Sequence, residues 1–362
     1  MEPLRKPEDP RTAKVMRSIR ELIEEREEKF LSPHACLSKN GKRLKDEVTD
    51  PLRTSFQRDR DRIIHSKAFR RLKSKTQVFL AVEGDHFRTR LTHTLEVMQI
   101  ARTIARSLFL NEDLVEAIAL GHDLGHTPFG HTGEAILNQL YPEGFHHAKQ
   151  SLRVVDFIER EGKGLNLTIQ VREGIETHSE KGKRLLPDPE NYPTTLEAAV
   201  VRMADVFAYI NHDLDDAIRA GFFRSHRIEI PPEPIKILGK TPSERIDILV
   251  KDLVFNSYQK NHLEMSEEVL NALIGIRNFM YSEVYPRING GEEGKKAQQV
   301  IEFLYLHLLK NPQDITSEFF RGLYEENPEA AVKDYVAGMS DRFALNLYEK
   351  ITGEKISFSG TP

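Results

Sequence analysis

The sequence predicts an all-α fold in which a central helical bundle is extended by a C-terminal helical region. Apolar residues recur three and four positions apart along most of the 362 residues, while the strict alternation and β-branched runs of strands are scarce. Helix-capping residues stand where that periodicity begins and ends. Leu91, Leu95, Met98, Ile104 and Leu108 mark one helix. Leu114, Ile118 and Ala119 mark the next, with Asn111 as its cap and Glu112 and Asp113 in the first turn, where carboxylates complement the helix dipole. A third runs through Leu152, Val155 and Ile158, and the longest spans Leu196 to Ala220, opened by a capping box from Thr194 to Glu197 and closed by Gly221.

The breaks divide the chain. Gly41 to Pro51, Lys181 to Pro193 and the proline-rich piece from Ile230 to Pro242 read as loops. This outlines a charged helical arm over 1–49, a core over 50–225 and a C-terminal helical region over 226–362. No internal repeat is visible.

Composition narrows the function classes. Hydrophobic residues make up 39% of the chain, enough for a sizeable core. The 52 Lys and Arg against 56 Asp and Glu leave a net charge of −4, so nothing drives the whole molecule toward nucleic acid or an anionic membrane. A single cysteine, Cys36, excludes an internal disulfide and a thiolate metal cage. With no apolar leader and no run near the ~18 apolar residues of a membrane span, a cytoplasmic protein is expected.

The chemistry concentrates in His122-Asp123-Leu124-Gly125-His126-Thr127-Pro128-Phe129-Gly130-His131-Thr132-Gly133-Glu134, where three histidines and two carboxylates are interleaved with glycines and a proline. A solvated loop rarely gathers imidazole this way, so a metal or acid–base site explains it better. His122 and Asp123 can reach one ion from a helix end, with Gly125 ending that helix. His93 stands upstream at the start of an amphipathic helix, where a lone histidine is more often structural. Asp205, set among apolar residues of the long helix, is costly to bury unless paired or metal-bound, which makes it the strongest candidate for a further ligand. Two imidazoles and two carboxylates without sulfur suit Mn²⁺, Fe²⁺, Co²⁺, Ni²⁺ or Mg²⁺ and phosphoester hydrolysis. Asp205, Tyr209 and Asp213 fall at i, i+4 and i+8, so one helix face runs about 12 Å, the length of a nucleotide's phosphate–sugar portion. The alternative for Tyr209 is an ordinary core aromatic, and for Arg70, Arg71, Lys73 and Lys75 a solvated face.

His93, His122-Asp123 and Asp205 together resemble the H…HD…D signature of the HD superfamily. More narrowly, Arg58 to His65, Ala68 to Leu72, Lys75 to Phe79, Thr89 to His93, His122 to His126, the Phe145, His147 and Gln150 to Arg153 pattern, and the late Met339-Ser340-Asp341-Arg342 resemble the bacterial dGTP triphosphohydrolase family. The likeness is strong over 50–220 and weaker beyond.

That resemblance implies an HD-domain bundle and hydrolysis of a dNTP to deoxynucleoside and inorganic triphosphate. It implies His93, His122, Asp123 and Asp205 as ligands of one divalent metal ion per active site, His131 and Glu134 as the catalytic pair, and His126 near the phosphates. Arg90 matches a phosphate-contacting arginine, Tyr209 and Asp213 match residues that pack under the deoxyribose and bind its 3′-hydroxyl, and Gln77 matches a second 3′-hydroxyl contact. His147 and His178 are candidates to line the pocket. Family members also form homo-oligomers, and some bind an allosteric second dNTP. Two alternatives stay open: another HD phosphohydrolase such as a monophosphate nucleotidase, and a regulatory protein that senses nucleotides or contacts single-stranded DNA.

Overall fold

A computed structural model describes residues 10–78, 88–179, 185–186 and 195–358, with the side chains of 10–18 left aside. Among these residues there is no strand, only two isolated bridges, Arg43 to Thr168 and Thr76 to Thr89. The all-α expectation therefore holds.

The N-terminal helix α1 spans Pro10–Phe30, followed by α2 (Ser55–Ile64) and the short α3 (Lys67–Arg71). A capping box starts α2, in which Thr54 accepts from the Gln57 amide and Gln57 returns the bond to the Thr54 N–H. Next come α4 (Arg90–Ser107), α5 (Glu112–Gly121), α6 (Gly130–Leu140), α7 (His147–Arg153) and α8 (Ile169–Thr177). Asn111 caps α5 as read from the sequence, accepting from the amides of Asp113 and Leu114. The long α9 (Leu196–Arg219) runs through the centre, touching α4, α5 and α8.

Two of these local readings need correcting. On α4 the inward face is His93, Thr94, Val97, Ile100, Ala101 and Ile104, whereas Leu95 is 42% exposed. Polar His93 occupies the buried stripe, so the apolar pattern at that end points to the wrong face. The cap of α9 is Thr195, which accepts from the Ala198 amide, while Thr194 lies outside the described residues. The third helix does run through Leu152, Val155 and Ile158, as α-helix to Arg153 and as a π turn over Val154–Ile158.

Beyond α9, α10 (Phe222–His226) follows Gly221, whose φ of 67° supplies the left-handed step after the long helix. The proline-rich stretch read as a loop contains α11 (Pro232–Leu238), because a proline in the first turn removes an N–H that would lack a partner anyway. Then come α12 (Pro242–Ser257), α13 (Glu267–Phe279), α14 (Tyr285–Gly290), α15 (Glu292–Lys310), α16 (Glu318–Glu326), α17 (Pro328–Ala337) and α18 (Asp341–Thr352). No described helix is long and apolar enough to cross a membrane.

Two apolar cores organise these helices. The larger extends from Phe56 on α2 to Val284, so it takes in α12 and α13 as well as α4, α5, α8 and α9. The smaller is built by α15, α17 and α18, and it holds Phe129, Leu137 and Phe145 from the α6 region. Thus α6 rests on helices that lie more than 150 residues downstream.

One buried carboxyl joins the arm to the bundle. Glu197, in the first turn of α9, accepts from the amides of Cys36 and Asn111 through Oε1, while Oε2 finds no partner among the described residues. Burial pushes its pKa from the ordinary 4.5 up to about 7. The fold favours the protonated form, so this contribution to stability is complete below the ordinary carboxylate range and is lost as pH rises through about 7. Glu197→Gln keeps the acceptor oxygen and removes the titration. Urea unfolding from pH 5 to pH 8 should therefore show the wild type losing about 1–3 kcal/mol more than the variant; parallel pH profiles would contradict the assignment.

Candidate active site

The site forms where the start of α4, the end of α5 and the middle of α9 meet. Thr89 caps α4 and leaves Arg90 and His93, about one turn apart, facing inward. At the end of α5, His122 Nδ1 lies 2.6 Å from the Ala119 carbonyl. A carbonyl only accepts, so Nδ1 carries a proton and Nε2 is the ring nitrogen that faces the site.

The turn after α5 is held from α7. The Gly125 N–H donates to Ser151 Oγ at 2.9 Å, and that hydroxyl donates to the His122 carbonyl at 2.6 Å. The helix already ends at Gly121, so Gly125 does not terminate it as the sequence suggested. Its role is close approach: a Cβ there would stand 2.1 Å from the Ser151 amide nitrogen.

Four side chains from these elements converge. His93 Nε2 lies 3.1 Å from Asp205 Oδ1 and 3.9 Å from Asp123 Oδ2. His122 Nε2 lies 3.4 Å from Asp123 Oδ2 and 3.8 Å from Asp205 Oδ1. Donors each about 2.0–2.2 Å from one ion stand at such mutual distances. His122 Nε2 is buried with no hydrogen-bond partner among the described residues, facing two carboxylates. Burial opposes a charge on His122, yet Asp123 and Asp205 outweigh it and push its pKa up to about 9. A place that stabilises positive charge so strongly fits a cation, and two overlapping groups here, His93 with His122 and Asp123, and His122 with Asp205 and His178, could hold a metal ion.

Beside them, Arg90 Nη1 donates to Asp123 Oδ2 at 2.8 Å, and its Nη2 donates to the Gln77 carbonyl at 3.3 Å. His126 stacks on His147 with ring centroids 4.2 Å apart, and burial, helped by Arg90, holds its pKa well below the ordinary 6.5.

At the start of α6, His131 Nδ1 lies 3.0 Å from Glu134 Oε2. Glu134 Oε1 also accepts from the His147 backbone N–H and faces His147 Nδ1, both at 3.0 Å. Burial alone would raise this carboxyl; His147 and the bond from His131 overcome that and hold it well below 4.5. An ionised Glu134 requires the proton on His131 Nδ1, which frees His131 Nε2. That side chain is 57% exposed amid buried neighbours, so it can meet an incoming molecule. His147 is engaged at both ring nitrogens, with Nε2 3.2 Å from His178 Nε2. His178 is bonded to the Ile175 carbonyl through Nδ1, and burial pushes its pKa down to about 3.

Along α9, Asp213 is buried and accepts from the Tyr285 hydroxyl at 2.7 Å, leaving Oδ1 without a partner among the described residues. Tyr209 packs partly buried against the large core. Gln77 is buried with Oε1 likewise unpartnered. The structure thus gathers His93, His122, Asp123 and Asp205 with Arg90, and ranges His126, His131, Glu134 and His147 beside them. Sequence reasoning missed Tyr285, which no local pattern marks. Lys75 is not on a solvated face: it is 2% exposed and donates to the Ala337 carbonyl at 2.9 Å.

This geometry can be set beside known proteins. The HD domain profile matches residues 90–210, and the phosphohydrolase-associated domain profile matches 263–350. A deoxyguanosinetriphosphate triphosphohydrolase-like protein of Caldanaerobacter subterraneus is 51% identical over 334 residues, covering 92% of this chain and 95% of that one. The chain belongs to the HD-domain deoxyguanosinetriphosphate triphosphohydrolase-like family. Two further members, from Desulfatibacillum aliphaticivorans and Clostridium tetani, are 46% and 45% identical and cover 92% and 94% of this chain, and 98% and 97% of their own. The triphosphohydrolase-like likeness therefore spans both apolar cores, not the HD segment alone.

Because Gly125 meets backbone, replacing it with Ala forces α7 away from the His122-Asp123 turn. Gly125→Ala should destabilise the protein by at least ~1–3 kcal/mol, read as a lower urea midpoint. An unchanged midpoint would show that the turn has slack.

Proposed function

We propose that the protein hydrolyses deoxynucleoside triphosphates at the α-phosphate, with His93, His122, Asp123 and Asp205 as ligands of one divalent cation. The carrying observation is the convergence of that quartet beside an exposed His131 oriented by Glu134. The family name of the relatives supports a purine deoxynucleoside triphosphate among the substrates. A divalent cation there neutralises phosphate charge and lowers the pKa of bound water, and the donor set suits Mn²⁺, Mg²⁺, Fe²⁺, Co²⁺ or Ni²⁺.

The side chains supply the rest. Water adds to the α-phosphorus and the bond to the 5′-oxygen breaks, giving deoxynucleoside and inorganic triphosphate. Glu134 holds His131 Nδ1–H, so His131 Nε2 manages the proton at the departing 5′-oxygen. Arg90, anchored on Asp123, directs its guanidinium to phosphate. Neutral His126 contributes a hydrogen bond to a phosphate oxygen without competing for the cation. At the sugar end, Asp213 Oδ1 or Gln77 Oε1, neither with a partner among the described residues, would accept the one proton of the 3′-hydroxyl, and Tyr209, four residues before Asp213 on α9, would pack under the deoxyribose and disfavour a 2′-hydroxyl. Whichever of these buried oxygens accepts that proton loses the penalty it now carries.

Incubation with each dNTP and Mn²⁺, followed by product separation, should yield inorganic triphosphate and deoxynucleoside. His131→Ala should lower kcat by about 10²–10⁴-fold, and Asp205→Ala should lose bound metal by elemental analysis. Release of orthophosphate instead, or full activity in His131→Ala, would defeat the proposal.

A further inference from the structure

Three separated stretches meet beside the site: residues 75–77, 126–130 and 337–341. The first carries Gln77 and the second leads into α6 with His131. The third belongs to the C-terminal region and supplies none of the converging quartet. Asp341, the first residue of α18, accepts the Thr76 N–H through Oδ2 at 2.8 Å and the Phe129 N–H through Oδ1 at 3.0 Å. Lys75 reaches the opposite way, donating to the carbonyls of His126 and Ala337. Two side chains therefore tie all three stretches together through bonds to backbone amides and carbonyls.

The backbone they hold is not one that relaxes there unaided. Phe129 and Gly130 both have positive φ, 60° and 57°. Such a conformation is unfavourable for a phenylalanine and persists only when its surroundings over-determine it. Here Asp341 fixes the Phe129 amide, while the Phe129 ring is 3% exposed in the smaller core with Phe358 5.6 Å away. Thr127 Oγ donates to the Gly130 carbonyl at 2.8 Å. A Cβ on Gly130 would stand 2.8 Å from the Gln77 carbonyl oxygen and 3.1 Å from Arg90 Nη2, so the Gln77 strip and the start of α6 are in tight register.

We infer that Asp341 and Lys75 are positioning residues through which the junction of α17 and α18 sets the spacing between Gln77 and the His126–His131 stretch, and so between the sugar end and the leaving-group end of the site. The effect on turnover rests on the triphosphohydrolase reading above; the tie itself does not. Asp341→Ala removes both bonds, Asp341→Asn keeps one acceptor oxygen, and Lys75→Met removes the second tie.

In the full chain, amide hydrogen exchange should speed up in peptides covering 75–78 and 126–131 in Asp341→Ala, with α9 unchanged, and to a smaller extent in Asp341→Asn. With dGTP and Mn²⁺, kcat should fall about 10- to 100-fold in Asp341→Ala while KM moves less than about threefold, Asp341→Asn lying between. Asp59, a buried carboxylate paired with Arg43 and accepting from the Thr168 amide, serves as comparison: Asp59→Asn should lower the melting temperature without altering exchange at 126–131. Faster exchange confined to α18, or equal loss of kcat in Asp59→Asn, would overturn the inference, as would faster exchange at both stretches with kcat intact. Should Asp341→Ala fail to melt cooperatively, Asp341→Asn and Lys75→Met decide on the same readings. A wild type that releases no triphosphate would sink the reaction proposed above, and the exchange pattern would still judge the tie.

Discussion

The interior convergence of two carboxylates and two imidazoles is the constraint on which the rest of the structure turns. Asp123 and Asp205 lie with His93 and His122 at the junction of α4, α5 and α9. Buried carboxylates are costly unless positive charge meets them. Arg90 supplies one charge at Asp123, and His122 Nε2, unpartnered among the described residues, marks the place for another. Holding such a group together requires stiff supports on every side. α5 is buried along most of its length, Ser151 pins the turn after it, and α9 is central in the larger core.

The acid–base side is supported differently. His131 and Glu134 stand on α6, whose apolar residues are held by α15 and the smaller core. Glu134 receives bonds from His131 and from His147 on α7, so its orientation joins two helices. The reacting groups are thus divided between two cores, and their mutual distance depends on how these cores abut. Charged side chains that bond across that boundary, Arg153 to Asp334 and Lys75 to the Ala337 carbonyl, give the abutment direction as well as contact.

Much of this was legible in the chain because helices announce themselves locally. The apolar period, the Asn111 cap and Gly221 after the long helix are decided by neighbours within a few residues, and each stands where it was expected. Leu95 misled because one apolar residue off the stripe looks locally like one on it, and only the packing of His93 shows which face turns inward. The proline-rich stretch misled because proline breaks a helix interior but is welcome in a first turn.

Three of the four converging side chains were readable for a similar reason, while His93 entered only through the family resemblance. Imidazoles and carboxylates among apolar residues are conspicuous in a sequence, since their burial has a cost that only partners offset, and His122, Asp123 and Asp205 stand out on those grounds alone. By itself, then, the sequence determined the helical class, most helix ends and the chemistry available. Tertiary structure alone decided that Tyr285 meets Asp213, that Gly125 serves a contact with α7 rather than a helix end, and that Lys75 turns inward. These depend on atoms brought together from distant parts of the chain, and the space between packed helices carries no signature in the residues on either side.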